Sequence, residues 1–284
     1  MFRADLLIGK VIIVTGGGTG LGRSMAKRFA ELGAKLVLTS RTQGHLDSVA
    51  AEIAAAGGEA LAVACDVRRP AEVDAMVAAT VARFGRIDIL VNNAAGNFFA
   101  QTETLSPNGF RTVVDIVLNG TFHCTSAVGK QLIAQGTGGS ILSIVATYTD
   151  TGSAFVVPSA CAKSGVLTMM RSLAVEWARH KIRCNAIAPG PFPTEGAFSR
   201  LIPPGLEDQM AAMAKHRIPA GRYGEHHELT NLASYLLADE SAYITGECVV
   251  IDGGERLMAG EFNAMTALDP TALGQLFGAM RPKK

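Results

Sequence analysis

Charge is sparse in this chain of 284 residues: 18% of its positions are Asp, Glu, Lys or Arg, and the formal net charge is +1. That excludes the broad basic field that drives binding to nucleic acid or anionic membranes, while leaving room for a local cationic patch facing an anionic small molecule. Long apolar runs are missing as well. No apolar stretch reaches the roughly eighteen residues of a membrane span, and the opening MFRADLLIGK is too short an apolar segment for a signal peptide. The expectation is a soluble, cytoplasmic protein. Five cysteines (Cys65, Cys124, Cys161, Cys184, Cys248) lack any CxxC spacing, which argues against a disulfide framework or a zinc site and for thiols in a reducing cytosol. No linker-like tract, repeat or low-complexity segment divides the chain. With 48% apolar residues and a mean hydropathy of +0.24, one compact domain over residues 1–284 is expected.

What is present is alternation. Short apolar, β-branched runs (KVIIVTG, AKLVLTS, ALAVACDV, RIDILVNNAAG, GGSILSIVA, IRCNAIAPG, ECVVIDGG) are separated by longer amphipathic segments. Runs apolar on both faces suit parallel strands, and the segments between them suit crossover helices. The fold class is therefore α/β, a doubly wound, Rossmann-type parallel sheet of about seven strands. One helix is expected from Ser24 to Leu32, with Met25, Phe29 and Leu32 on one face and Gly33 as its stop. In such sheets ligands sit beyond the carboxyl ends of the strands.

The first run leads into TGGGTGLG, Thr15 to Gly22, with Gly16, Gly20 and Gly22 as the key glycines. Glycine lets backbone approach a pyrophosphate while the next helix offers its N-terminal N–H groups, so a dinucleotide fits. At the end of the second strand the sequence reads Thr39-Ser40-Arg41. No carboxylate stands there to accept from a ribose 2′-OH, and Arg41 can pair with a 2′-phosphate, which predicts NADP(H). Asp66, after the third strand, either accepts from the adenine amino group or caps the next segment.

Together with NNAAG at Asn92–Gly96, Asn119, Lys163 and IAPGP at Ile187–Pro191, these motifs run in order over residues 9 to 254. The chain thereby resembles the short-chain dehydrogenase/reductases. It departs from them at the catalytic positions. The usual tyrosine four residues before the lysine is Ser159, and the usual serine thirteen residues earlier is Ala146. Tyr148, Tyr223, Tyr235 and Tyr243 are followed four residues later by Gly152, His227, Asp239 and Glu247, so none supplies the missing pair. A serine hydroxyl is a far weaker acid than a phenol, which disfavours ordinary carbonyl reduction.

The departure itself resembles one branch, the mitochondrial type of 2,4-dienoyl-CoA reductase, through NNAAGNF, LSPN, DIVLNGTF, TGSAFVVPSACAK, GPFPTEGAFSRL and IDGGE…GEFN. That resemblance implies a homotetrameric enzyme reducing 2,4-dienoyl-CoA thioesters with NADPH in unsaturated fatty acid β-oxidation. It implies catalytic roles for Tyr148, Asn97, Lys163 and Ser159, and substrate contacts from Arg68, Asn97, Phe98, Ser106, Tyr148 and Arg200. The cofactor would be held by Thr15, Gly16, Gly18, Thr19, Gly20, Leu21, Gly22, Ser40, Arg41, Asp66, Val67, Asn93, Ala94, Ala95, Lys163, Pro189, Gly190, Pro191 and Phe192. Independently of the resemblance, Ser159 and Lys163 are spaced i and i+4, which puts them on one helix face.

Other residues read more plainly. Arg68 and Arg200 serve equally well as surface arginines, and Asp115 as an acid or base, a cap or a pairing partner. His226-His227 lacks metal-ligand spacing and reads as a solvated helix start; His123 and His180 read as structural. The segment 191–217, Pro- and Gly-rich and then helical, suits a lid carrying Phe192, Phe198, Leu201 and Ile202, with a C-terminal extension at 255–284. Two other functions stay open: a reductase of enoyl- or ketoacyl thioesters or alcohols, and a non-catalytic NADP-binding regulator.

Overall fold

The computed structural model describes residues 2–194, 196 and 205–280. Seven parallel strands form one sheet: β1 (Val11–Thr15), β2 (Lys35–Ser40), β3 (Glu59–Ala64), β4 (Ile89–Asn92), β5 (Gly139–Ile144), β6 (Ile182–Pro189) and β7 (Cys248–Ile251), ordered β3-β2-β1-β4-β5-β6-β7. Between them lie α1 (Gly20–Glu31), α2 (Gln43–Ala55), α3 (Pro70–Phe84), α4 (Pro107–Val114), α5 (Gly120–Gln135), α6 (Tyr148–Thr151), α7 (Val157–Glu176), α8 (Glu207–Arg217) and α9 (His226–Leu237). Helix α10 (Pro270–Ala279) follows β7 and buries none of its residues. No helix among the described residues is long and apolar enough to cross a membrane.

Side-chain alternation explains the two layers. Ile12, Val14, Leu36, Leu38, Val91 and Leu142 face one side, packing on α1, α2 and α9 through Met25, Phe29, Leu46, Val49, Ile53, Leu229 and Leu236. Ile13, Val37, Leu90 and Ile141 face the other, against Met76 of α3, Cys124, Val128 and Leu132 of α5, and Met170 of α7. Fully burying one such side chain contributes about 1.5–3 kcal/mol. The helix expected from Ser24 starts one turn earlier, at Gly20, because the glycine turn itself supplies the first helical residues. Trp177, just past α7, rests on α5: a Cβ on Gly129 would stand 2.3 Å from its ring.

At the amino ends of the strands, Asp88 accepts from the Val11 N–H at 2.9 Å and is paired with Arg86, locking the start of β1. At the carboxyl ends the strand order departs in opposite directions from β1, to β2 on one side and β4 on the other. This switch point opens the crevice in which a dinucleotide binds in such sheets. Phe198, Leu201 and Ile202, expected in the lid, and Arg200, expected among the substrate contacts, lie outside the described residues; α8 forms the described end of that segment.

Candidate active site

The floor of the crevice is built by two motifs that lock together. Thr15 Oγ1 accepts from the N–H groups of Asn93 and Ala94 at 2.9 and 3.0 Å, and the Asn93 amide donates to the carbonyls of Thr15 and Gly16. TGGGTGLG and NNAAG are thus one hydrogen-bonded unit across β1 and β4. Gly16 has φ +66°, and a Cβ on Gly22 would stand 2.1 Å from the Gly16 carbonyl oxygen, so only glycine permits this turn. Thr19 is the N-cap of α1 without a capping side chain, which leaves the first N–H groups of that helix for a phosphate. The residues present therefore fit a dinucleotide: Gly18 and Thr19 line the turn, while the side chain of Leu21 packs into the core below.

Beyond β2 and β3 the adenosine end takes shape. Ser40 Oγ bonds the backbone of Thr42, and Arg41 stands exposed, close enough to Asp66 to help hold its carboxyl below the usual range. The larger cause is Arg68, whose Nε and Nη2 grip both Asp66 oxygens. Sequence reading treated Asp66 and Arg68 separately; the structure makes them one ion pair. Val67 is buried under α5, its carbonyl accepting from His123 Nδ1 at 2.9 Å.

The reactive end is assembled from β5, α6 and α7. Ser159 and Lys163 are both buried on one face of α7, as their spacing requires. Tyr148 opens α6, and its hydroxyl lies 2.9 Å from Ser159 Oγ. Burial pushes the Tyr148 phenol above its ordinary value, and the Ser159 hydrogen bond opposes this only in part. Lys163 Nζ donates to the Ile144 carbonyl, and burial draws its ammonium down to about 8.

Facing this cluster is the loop after β4. Its backbone is pinned to the loop before α7 by the Ala100 N–H donating to the Phe155 carbonyl at 3.0 Å, with Phe155 in the left-handed region at φ +65°. Ala95 is exposed on this loop. Asn97 Oδ1 accepts from the Phe98 N–H at 2.9 Å, and its NH₂ is the donor end of the side chain. Ser106 has a local role: its hydroxyl caps α4 by accepting from the Gly109 N–H. A π-helical turn, Asp115–Asn119, joins α4 to α5, with the Asn119 amide donating to Asp115 at 2.8 Å. Sequence reading carried no signal for that turn.

The crevice is roofed by the segment after β6. The Gly190 N–H donates to Ile251, the Pro191 carbonyl accepts from Gly224, and the buried Phe192 ring occupies the space a Cβ on Gly224 would fill. Pro189 ends β6 at this point. His226, expected to be solvated, instead bonds Ser24 Oγ and the Pro193 carbonyl, both at 2.7 Å. The spacing of residues 24, 193 and 226 in the sequence gives no hint of this.

Residues 16–255 match the family described as enoyl-(acyl carrier protein) reductase. A probable 2,4-dienoyl-CoA reductase of Bacillus subtilis, named as (2E)-enoyl-CoA-producing, is 43% identical across 87% of this chain and 97% of that protein. A peroxisomal 2,4-dienoyl-CoA reductase of Arabidopsis thaliana, named as (3E)-enoyl-CoA-producing, is 37% identical across 89% of this chain and 86% of its own length. Among solved structures, a short chain dehydrogenase from Bacillus anthracis superposes with a TM-score of 0.81 at 45% identity, covering 89% of this chain and 98% of that one. The sheet order, the glycine turn clamped by Asn93 and these likenesses converge: the chain is an oxidoreductase using a nicotinamide cofactor, and it belongs to the short-chain dehydrogenase/reductase family.

Proposed function

We propose that this enzyme reduces 2,4-dienoyl-CoA thioesters with NADPH. The observation that carries the reading is the Tyr148–Ser159 hydrogen bond: a phenol reaches the catalytic cluster from α6 and meets α7 at the position where a family tyrosine would stand. The names of the relatives point to the same substrate class.

The roles follow from charge. A nicotinamide held in the crevice would supply the hydride that the far carbon of the conjugated chain receives. As electron density moves toward the thioester, its carbonyl oxygen becomes anionic and calls for fixed donors. Asn97 offers its NH₂ because its Oδ1 is already occupied, and Tyr148 offers its hydroxyl. The raised phenol pKa suits this, since a phenol that stays protonated is a donor and a proton source. Ser159 then donates to the Tyr148 oxygen, and Lys163 orients the nicotinamide ribose. Protonation at the α carbon, beside the thioester where Tyr148 stands, yields the 3-enoyl product.

Arg41, with no carboxylate at the end of β2, makes NADPH the preferred cofactor. Phe98 borders the acyl site, its ring resting on Gly109 at the start of α4. Arg68 spends Nε and Nη2 on Asp66, so any CoA phosphate contact falls to Nη1. We assign the chain one catalytic domain over 1–284 with a lid at 191–217 and an extension at 255–284, a homotetrameric assembly and a cytoplasmic setting.

The test is NADPH consumption with a 2,4-dienoyl-CoA, an enoyl-CoA and a 3-ketoacyl-CoA, the product being read by NMR. Dienoyl turnover with a 3-enoyl product supports the assignment. Preference for the ketoacyl thioester refutes it.

A further inference from the structure

We infer that His226 is a positioning residue for the cofactor, clamping the roof of the crevice to the phosphate-binding helix. The inference rests on the family's use of a nicotinamide dinucleotide and is independent of which acyl thioester is reduced.

The argument begins with the roof sequence, Pro191-Phe192-Pro193-Thr194. Its two prolines have no backbone N–H, so at those positions the strap can be held only through its carbonyls, by donors on the opposing chain. Two such donors are present. The Gly224 N–H reaches the Pro191 carbonyl at 3.1 Å, and His226 Nε2 reaches the Pro193 carbonyl at 2.7 Å. A carbonyl only accepts, so His226 carries its proton on Nε2. In the neutral ring Nδ1 is then an acceptor, and it meets Ser24 Oγ at 2.7 Å. Ser24 lies one turn into α1 and gives its single hydroxyl proton to the imidazole at 2.7 Å, the Gly20 carbonyl at 3.3 Å being the competing acceptor.

One imidazole therefore spans three elements: the phosphate helix, the strap and the start of α9. The donors themselves are held rigidly. Glu225 and Glu228 form a reciprocal capping box at the start of α9, and Arg222 pairs with Glu228 at 2.7 Å. The strap in turn lies on the glycine turn, since a Cβ on Gly20 would stand 3.4 Å from the Thr194 side chain. Fixing Pro193 thus fixes the wall that closes over the pyrophosphate, and a preformed wall lowers the ordering cost of binding.

The experiment is NADPH titration by fluorescence with His226→Ala, His226→Gln and Ser24→Ala, alongside thermal unfolding of each. Glutamine keeps a donor and an acceptor on one side chain. His226→Ala is expected to weaken NADPH binding about tenfold and Ser24→Ala about threefold, the worth of the hydrogen bonds each removes. His226→Gln should stay within about twofold of wild type. Wild-type affinity in a folded His226→Ala overturns the inference, as does a Gln variant as weak as the Ala variant. Should His226→Ala not fold, wild-type affinity in Ser24→Ala overturns it. Since the readout is cofactor binding, failure to reduce dienoyl thioesters would sink the proposed function and leave this clamp standing.

Discussion

The hydroxyl of Tyr148 and that of Ser159 lie 2.9 Å apart although they come from different helices, α6 and α7, eleven residues apart in sequence. Either can donate, so Ser159 can hold the Tyr148 oxygen as a hydrogen-bond donor while the phenol directs its own proton outward. Under the proposed function, a phenol and a serine would share the work that one tyrosine does in ordinary carbonyl reductases of the family.

Removing the outer member tests this division. Tyr148→Phe keeps the ring and deletes the donor, and Asn97→Ala deletes the second donor; each should cut turnover of a 2,4-dienoyl-CoA on the order of 100-fold or more. NADPH titration should stay near wild type, because the glycine turn and its Asn93 clamp are untouched. Near-normal turnover in Tyr148→Phe would reduce Tyr148 to a rim residue.

The inner member should matter less. Ser159→Ala leaves the phenol in place without its partner, and a loss on the order of tenfold in kcat is expected, that of one hydrogen bond. A loss equal to that of Tyr148→Phe would reverse the assigned order of the two hydroxyls.

Cofactor choice rests on Arg41. Arg41→Ala should raise the KM for NADPH about tenfold, the worth of a charge-assisted pair with the 2′-phosphate, and leave that for NADH nearly unchanged. Equal effects on both cofactors would show that Arg41 does not read the phosphate.

Lys163 predicts a conflict between stability and activity. Its folded value of about 8 lies below the unfolded value, so the folded state disfavours the ammonium. The unfolded chain binds more protons between about pH 8 and the ordinary lysine value of about 10.4, so this group's contribution to stability rises with pH through that window. Below it the cost is fully present. Lys163→Met should therefore stabilise the cofactor-free enzyme at pH 7 by about 1–3 kcal/mol in thermal unfolding, while abolishing turnover. A destabilised Lys163→Met would mean that the Ile144 carbonyl already offsets the burial.

The sheet was legible because its signal is local: short β-branched apolar runs such as VIIVT, ended by glycine, suit strands covered on both faces, and the glycine turn follows from bond geometry. Ser159 and Lys163 were legible from helical spacing. The Asp66–Arg68 pair was not, because two residues separated by one on a loop can point anywhere until the loop is folded. Nor was the His226 clamp, whose three members come from segments that meet only when α1 and α9 pack. Ser106 shows a further limit, since a residue in a motif may be held there by the cap its own helix needs.

Trp177 is the only tryptophan in the chain, and it rests against Gly129 at the contact of α5 with the end of α7, away from the glycine turn. Its indole is thus a native optical reporter of a single contact. Direct emission from that ring follows whether the two helices are seated, while energy transfer from it to a bound reduced nicotinamide registers occupancy of the crevice. Unfolding and ligation can be followed in one unlabelled sample at separate wavelengths, so a variant that has lost its cofactor is distinguishable from one that has lost its shape.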